Sequence, residues 1–131
     1  MEEQDIVSLI KMHRGNDCWL DFSVYLYDKG RLIIVGSFDL SYYHQLEIIA
    51  ENPSYVSGEM TWHADLQSDF IQANNGLDIT ESKAIKKLDF YSDDQLAFSV
   101  VADKFSVNFD TVFYYHREPL GENQRLAHWL T

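Results

Sequence analysis

The chain has 131 residues, a length that suits one domain, and this single domain is predicted to span residues 1–131. Apolar residues make up 46% and aromatic residues 15% of the sequence, so the chain has enough large side chains to fold and is not predicted to be disordered. A formal net charge of -11 argues against nucleic-acid binding, because contacts to phosphate need a basic surface.

The first residues and the cysteine count favour a cytoplasmic protein. Met1 is followed by two glutamates rather than by a basic start and an apolar run, so no secretory signal is predicted. No stretch approaches the roughly 20 apolar residues of a membrane-spanning helix. The single cysteine, Cys18, allows neither an intramolecular disulfide nor a cysteine-based zinc site. We therefore expect a cytoplasmic protein that does not contact a membrane.

The apolar residues have helical spacing at the start of the chain and recur at every second position, as in strands, after it. Ile6, Leu9 and Ile10 fall on one helical stripe behind acidic residues, which predicts a helix over residues 3–13. The later alternation of apolar and polar residues predicts strands. These strands cover residues 19–27, 31–39, 44–51, 55–62, 85–91, 96–102 and 105–116. Apolar spacings of four, three and four predict a second helix over residues 64–75, where a strand is the alternative.

Short connections decide the expected topology. Turns of a few residues join most of the predicted strands, and connections that short allow only antiparallel neighbours. The expected fold class is α+β: a curved antiparallel β-meander of about seven strands with an N-terminal helix and a mid-chain helix. A small closed β-barrel is the alternative architecture.

Sequence motifs for catalysis are missing. The sequence contains no Gly-rich phosphate loop, no Gly-x-Ser-x-Gly and no His-Glu-x-x-His. Cys18 follows Asp17 and lies close to Asp21, and these carboxylates disfavour the thiolate that a nucleophile needs. The sequence therefore predicts no catalytic residue and no cofactor, and it argues against an enzyme.

One polar cluster keeps a metal-dependent enzyme open as an alternative. Glu59, His63 and Asp65 share the parity of one strand face, and a histidine with two carboxylates suits a divalent metal or a general base. The competing interpretation is the solvated face of an edge strand, because no second histidine lies at a helical offset of four. No metal site is assigned on this evidence.

The remaining candidate is a surface rich in tyrosine, tryptophan and aspartate. Large aromatic side chains interleaved with charge are typical of protein interfaces, although tyrosine is also common in strands for packing reasons. The predicted partner-binding residues are Trp19, Asp21, Tyr25 and Tyr27 on the first strand and Asp110, Tyr114 and His116 on the last.

The sequence therefore predicts a small acidic cytoplasmic binding protein that engages a basic protein partner. In its most concrete form it is an inhibitor or immunity-type protein, whose negative surface covers the phosphate-binding surface of a basic enzyme. One alternative is a small β-barrel that binds an apolar ligand in a cavity of several hundred Å3. Others are the metal-dependent enzyme and a homodimer in which exposed aromatic residues meet across a two-fold axis.

Overall fold

The computed structural model describes residues 3–13, 17–28, 30–75 and 86–130. The described residues form one helix, α1 (Glu3–His13), and twelve strands in three open sheets. The strands are β1 (Trp19–Asp28), β2 (Arg31–Ser37), β3 (Tyr43–His44), β4 (Leu46–Glu51), β5 (Tyr55–Gly58), β6 (Thr61–Asp65), β7 (Ile71–Asn75), β8 (Lys86–Ser92), β9 (Gln95–Ala102), β10 (Lys104–Asn108), β11 (Thr111–Phe113) and β12 (Gln124–Leu126).

The sheets confirm an α+β class dominated by antiparallel strands, but not the predicted meander. The strand orders are β10-β4-β2-β1-β6, β5-β9-β8-β7 and β12-β11-β3, and among these described strands only the β11–β12 pair is parallel. The pairs β1–β6, β4–β10 and β5–β9 join strands that are distant in sequence, whereas a meander pairs consecutive strands. The alternative of a closed barrel is also wrong for this part of the chain, because the described strands leave every sheet open.

The first predicted helix is confirmed and the second is wrong. α1 has the predicted bounds and buries Ile6 and Ile10. Between residues 64 and 75, β6 continues to Asp65, whose carboxylate caps a turn by accepting the Gln67 N–H at 2.9 Å. β7 follows and pairs with β8. Ile71 is completely buried in the core cluster, so tertiary packing overrides the helical spacing of the apolar residues.

Two predicted strands are interrupted by backbone geometry. The strand predicted over 55–62 divides into β5 and β6 at Gly58, which adopts a φ of +128°. The strand predicted over 105–116 divides into β10 and β11, where the Asn108 side chain accepts the Asp110 N–H at 2.7 Å in a local turn. The second half of each predicted strand thereby joins a different sheet from the first half.

The core lies between the five-stranded and four-stranded sheets. Phe22 of β1 and Phe90 of β8 approach to 5.8 Å between ring centroids, and Trp62 of β6 stacks on Phe98 of β9 at 5.1 Å. These four rings belong to one buried cluster that α1 also joins. One face of the five-stranded sheet is therefore occupied by the core, and the other, called the outer face below, is left for additional contacts.

No helix among the described residues has the length and apolar character needed to cross a membrane.

Candidate functional site

Four side chains on the outer face of β1 and β6 form an exposed surface, called here the aromatic–acidic face. It consists of Trp19 and Asp21 on β1 and of His63 and Asp65 on β6. The antiparallel register places Trp19 opposite Asp65 and Asp21 opposite His63. Alternate residues of a strand lie on the same side of a sheet, so all four side chains are on one surface. Two of the seven predicted binding residues, Trp19 and Asp21, therefore belong to it.

Contacts within this face hold its side chains in place. His63 donates from Nδ1 to Asp21 Oδ1 at 2.7 Å, because a carboxylate oxygen can only accept. The Trp19 indole lies 5.4 Å from the His63 ring and meets Phe38 edge-on at 5.6 Å. Trp19 keeps 38% of its surface exposed. The tryptophan is thus ordered before any partner binds, which lowers the entropic cost of contact.

Tyr27 does not share this face, contrary to the prediction. The register of β1 against β2 shifts between Val24 and Leu26, so Leu26 lies opposite Ile33 and Tyr27 lies opposite the core residue Leu32. A bulge of one residue moves every later side chain to the other side of the sheet. Tyr27 is exposed at the end of β1, but on the side that faces the core.

Tyr25 and Tyr114 come together in a second cluster, which lies further along the outer face. Their rings stack with centroids 6.2 Å apart. Trp129 packs on both rings, at 5.7 Å from Tyr25 and 5.2 Å from Tyr114. The Tyr25 hydroxyl also lies 3.2 Å from His128 Nδ1. The C-terminal segment therefore folds over β1, and both tyrosines are half-buried beneath it.

Below this cluster lies a hydrogen-bonded chain of four side chains, called here the His44 network: His44, Glu47, Tyr114 and Arg125. His44 is completely buried, with Nε2 2.8 Å from Glu47 Oε2 and Nδ1 2.6 Å from the Tyr114 hydroxyl. The other Glu47 oxygen accepts from Arg125 at 2.5 Å. Because a carboxylate accepts, Nε2 carries the hydrogen, and in the neutral ring Nδ1 accepts from the Tyr114 O–H.

The charges of the network follow from its contacts. Burial by itself would raise the pKa of the Glu47 carboxyl, but hydrogen bonds from His44 and Arg125, together with the positive charge of Arg125, outweigh it and lower the pKa. Burial, with the neighbouring Tyr25 and Glu47, raises the pKa of the Tyr114 phenol well above its usual value. Tyr114 is therefore held as a neutral hydrogen-bond donor, which is unsuited to nucleophilic attack.

The last two predicted binding residues lie apart from the aromatic–acidic face. The Asp110 carboxylate lies 3.6 Å from Arg125 Nε, at the edge of the His44 network. His116 is exposed beyond the end of β11. The single face predicted for Asp110, Tyr114 and His116 is not formed, because β11 ends at Phe113 and belongs to the small third sheet.

Sequence reasoning missed His44, Glu47 and Arg125, and assigned none of them a role. Glu47 follows His44 by three residues, but Arg125 lies 78 residues beyond Glu47. The available signal was Glu47 itself, a charged residue between the buried Leu46 and Ile48 of β4. A charge in such a position needs a partner.

The described residues form no metal site, and the apolar cavity that they line beside α1 is small. Within the four described ranges, no group of three His, Cys, Asp or Glu side chains is arranged to hold a metal ion. His63 is paired with Asp21, and Asp65 caps its own turn. The cavity between α1 and the core, lined by residues such as Ile10 and Phe70, holds about 40 Å3. That is room for about one water molecule.

Comparison of the chain with protein-family models, with curated proteins and with solved structures finds no match.

Proposed function

We propose that this chain is a small acidic binding protein that engages a basic protein partner through the aromatic–acidic face. The observation that carries the proposal is the side-by-side arrangement of Trp19, Asp21 and Asp65 on the outer face of the five-stranded sheet. Tryptophan is enriched among the residues that dominate binding energy, and neighbouring carboxylates select a basic surface. An inhibitor or immunity-type role is the concrete form of this activity.

Charge supports the same proposal at longer range. The chain carries -11 overall, so its field attracts a basic partner before contact and raises the association rate. Trp19 then supplies apolar area at the centre of the contact, while Asp21 and Asp65 fix the partner's orientation. His63 holds Asp21 at 2.7 Å, so the carboxylate does not need to be ordered on binding.

Of the alternatives, the apolar-ligand binder receives little support from the geometry. A pocket for a small molecule occupies about 300–1,000 Å3, whereas the apolar cavity beside α1 holds about 40 Å3. The metal-dependent enzyme would need Glu59, His63 and Asp65 to share an ion, but His63 and Asp65 are engaged in other contacts.

The test is a pull-down from a source-cell lysate that compares matched neutralised variants. Asp21→Asn with Asp65→Asn removes two charges from the face, and asparagine can accept the same hydrogen bonds. Asp93→Asn with Asp94→Asn removes two charges from the β8–β9 turn, where positive φ values of 51° and 63° suit asparagine. A third variant, Trp19→Ala, removes the aromatic contact.

We expect a basic protein to be retained by the wild type and by the turn variant at low salt, and released at high salt. The face variant and Trp19→Ala should lose that protein, with the tryptophan change weakening affinity by about 30-fold or more. The proposal is overturned if retention is insensitive to salt, if both double variants bind equally well, or if no basic protein is retained.

A further inference from the structure

Trp19 and Asp65 form a close cross-strand pair at the end of the aromatic–acidic face. The register places them directly opposite each other on β1 and β6. One position further along, the Leu66 N–H donates to the Cys18 carbonyl at 2.9 Å. Hydrogen-bonded and non-hydrogen-bonded pairs alternate along antiparallel strands, so Trp19 and Asp65 form a non-hydrogen-bonded pair, the type whose Cα atoms are only about 4.5 Å apart. An indole and a carboxylate therefore start side by side on one exposed surface.

The Asp65 carboxylate is exposed and restrained, and it can still accept hydrogen bonds from a ligand. Its Oδ1 accepts the Gln67 N–H at 2.9 Å, which restrains its orientation. An ionised carboxylate has about four lone-pair positions, so one backbone N–H leaves most of them open. Within the described ranges, Asp65 forms no ion pair with a Lys, Arg or His side chain. Its charge is therefore available to a cation from outside the chain.

Trp19 supplies the second half of the pair. Contacts with His63 and Phe38 hold the indole, yet 38% of the residue surface stays exposed. Tryptophan is the aromatic side chain that attracts cations most strongly, over distances of up to about 6 Å from the ring centroid. His63 also donates to Asp21, so that carboxylate is already engaged within the chain. Trp19 and Asp65 are thus the part of the face where an added cation gains most.

The two neighbouring groups together favour arginine over lysine. A guanidinium group is planar, so it can lie against an indole and at the same time direct two N–H groups from its edge to one carboxylate. An ammonium group is a compact, strongly hydrated point charge that matches neither the flat ring nor the two oxygens. Because the chain carries -11, a cation is also attracted to its surface from a distance.

We propose that Trp19 and Asp65 bind an arginine side chain of the partner, with the guanidinium plane against the indole and its N–H groups donating to the Asp65 carboxylate. This inference rests on the function proposed above, and it deepens that function by naming the residue type that anchors the basic partner. A basic protein whose surface offers only lysine binds this face more weakly.

The experiment titrates the isotope-labelled full chain with three blocked peptides and follows the titration by NMR. The probe is a six-residue peptide that alternates arginine with glycine. A lysine–glycine peptide has the same charge, and a citrulline–glycine peptide keeps the shape of arginine without its charge. We expect the Trp19 indole N–H and the Asp65 amide to shift, and the arginine peptide to bind about fivefold tighter than the lysine peptide. The citrulline peptide should bind too weakly to measure.

Variants of the chain test each half of the pair. Asp65→Asn loses the charge but keeps an acceptor for the Gln67 N–H, and it should weaken binding of the arginine peptide about fivefold or more. Asp93→Asn is the matched control: it loses the same charge in the β8–β9 turn, where a φ of 51° suits asparagine, and it should change binding little.

Trp19→Leu keeps an apolar side chain and removes the ring. It should reduce the preference for arginine over lysine to less than about twofold. The indole signal that is absent from its spectrum also identifies the resonance of Trp19. If a variant does not fold, the three peptides on the wild type still decide the question.

Four results would overturn the proposal: the wild type binds the arginine and lysine peptides equally well, the citrulline peptide binds as tightly as the arginine peptide, the shifts lie away from Trp19 and Asp65, or Asp65→Asn and Asp93→Asn weaken binding equally. This inference and the proposed function fail in different ways. Retention of a basic protein from the lysate together with equal binding of the arginine and lysine peptides overturns only the inference. A preference for arginine at Trp19 without any retained basic protein overturns only the proposed function.

Discussion

Replacement of Glu47 by glutamine should destabilise the fold more than any other single neutralisation of an acid discussed above. Glu47 is 4% exposed and accepts from His44 and from Arg125 at 2.8 and 2.5 Å. Glutamine keeps one acceptor oxygen and turns an NH2 group towards one of the two donors, so one charge-assisted hydrogen bond is lost and replaced by opposed donors. Such bonds contribute about 1.5–3 kcal/mol each.

The exposure of the two donors narrows this range. Arg125 keeps 44% of its side chain exposed and can bind water instead, whereas His44 is completely buried. Glutamine should therefore turn its oxygen to His44 and its NH2 group to Arg125, which places the loss in the lower part of that range, at about 1.5–2 kcal/mol. With a urea m-value of about 1.5 kcal/mol/M, the midpoint of unfolding should fall by roughly 1 M.

The effect should also depend on pH, with a sign set by the pKa of Glu47. Because that pKa is lower in the folded protein than its usual value of 4.5, the stabilisation is present above pH 4.5 and is lost as the pH falls through the folded value. The difference in unfolding free energy between the wild type and Glu47→Gln should therefore be largest near pH 7 and should shrink below pH 4.5.

Urea denaturation followed by circular dichroism at pH 7 and at pH 3.5 measures both effects. Glu51→Gln is the matched control, because Glu51 lies on the same strand and is only partly buried; it should change stability by less than about 0.5 kcal/mol. A loss below about 1 kcal/mol for Glu47→Gln at pH 7, or an equal loss in the control, would refute the reasoning about the network.

Three further changes test other parts of the structure. Gly58→Ala should lower the unfolding free energy by more than about 2 kcal/mol, because the new Cβ would lie 2.1 Å from the Ala97 carbonyl oxygen and Gly58 has a φ of +128°. Gly121→Ala is the control: its Cβ would meet only a flexible side chain, so it should change stability little. Urea denaturation compares the two variants. The pKa of Tyr114 is raised in the folded protein, so the neutral phenol stabilises the fold below pH 10 and this contribution is lost as the pH rises further. Tyr114→Phe has no such group, so its melting temperature should fall less between pH 10 and 11.5 than that of the wild type. Thermal melts from pH 8 to 11.5 measure the difference. Phe22→Ala should lower the unfolding free energy by about 3–5 kcal/mol in the same urea assay, because the ring is fully buried in the core.

The sequence pattern predicts elements well where neighbouring residues decide the structure. The stripe of Ile6 and Ile10 identifies α1 with its observed bounds, and the alternation around Phe22 identifies β1. Pairing between distant strands is not contained in such patterns. Whether β1 pairs with β6 depends on how the whole core packs, and the same packing turns residues 71–75 into a strand despite their helical spacing.

For single residues of the candidate site, local patterns again predict what neighbouring residues decide and miss what distant contacts decide. Trp19 and Asp21 were identified from their parity, and they do lie on one surface. The same alternation predicts Tyr27 on this surface, but Tyr27 lies on the other side of the sheet. A single bulge residue is enough to reverse the side on which later residues lie. The bulge occurs at Tyr25, whose ring packs against the C-terminal segment, a contact between residues more than 100 positions apart.

The His44 network determines which aromatic residues remain available to a partner. Tyr114 uses its hydroxyl to bind His44, and Tyr25 is covered by Trp129, so neither is as free as the sequence implied. Trp129, by contrast, is 49% exposed. It follows Arg125 in the C-terminal segment, and the hydrogen bond from Arg125 to Glu47 holds this segment against β4. Tyr25 lies four residues from Asp21 along β1, a separation of roughly 13 Å that one protein partner can span. If a basic protein binds at Trp19 as proposed, Trp129 is within its reach, and we then expect loss of the Glu47–Arg125 contact to weaken binding without altering the aromatic–acidic face itself.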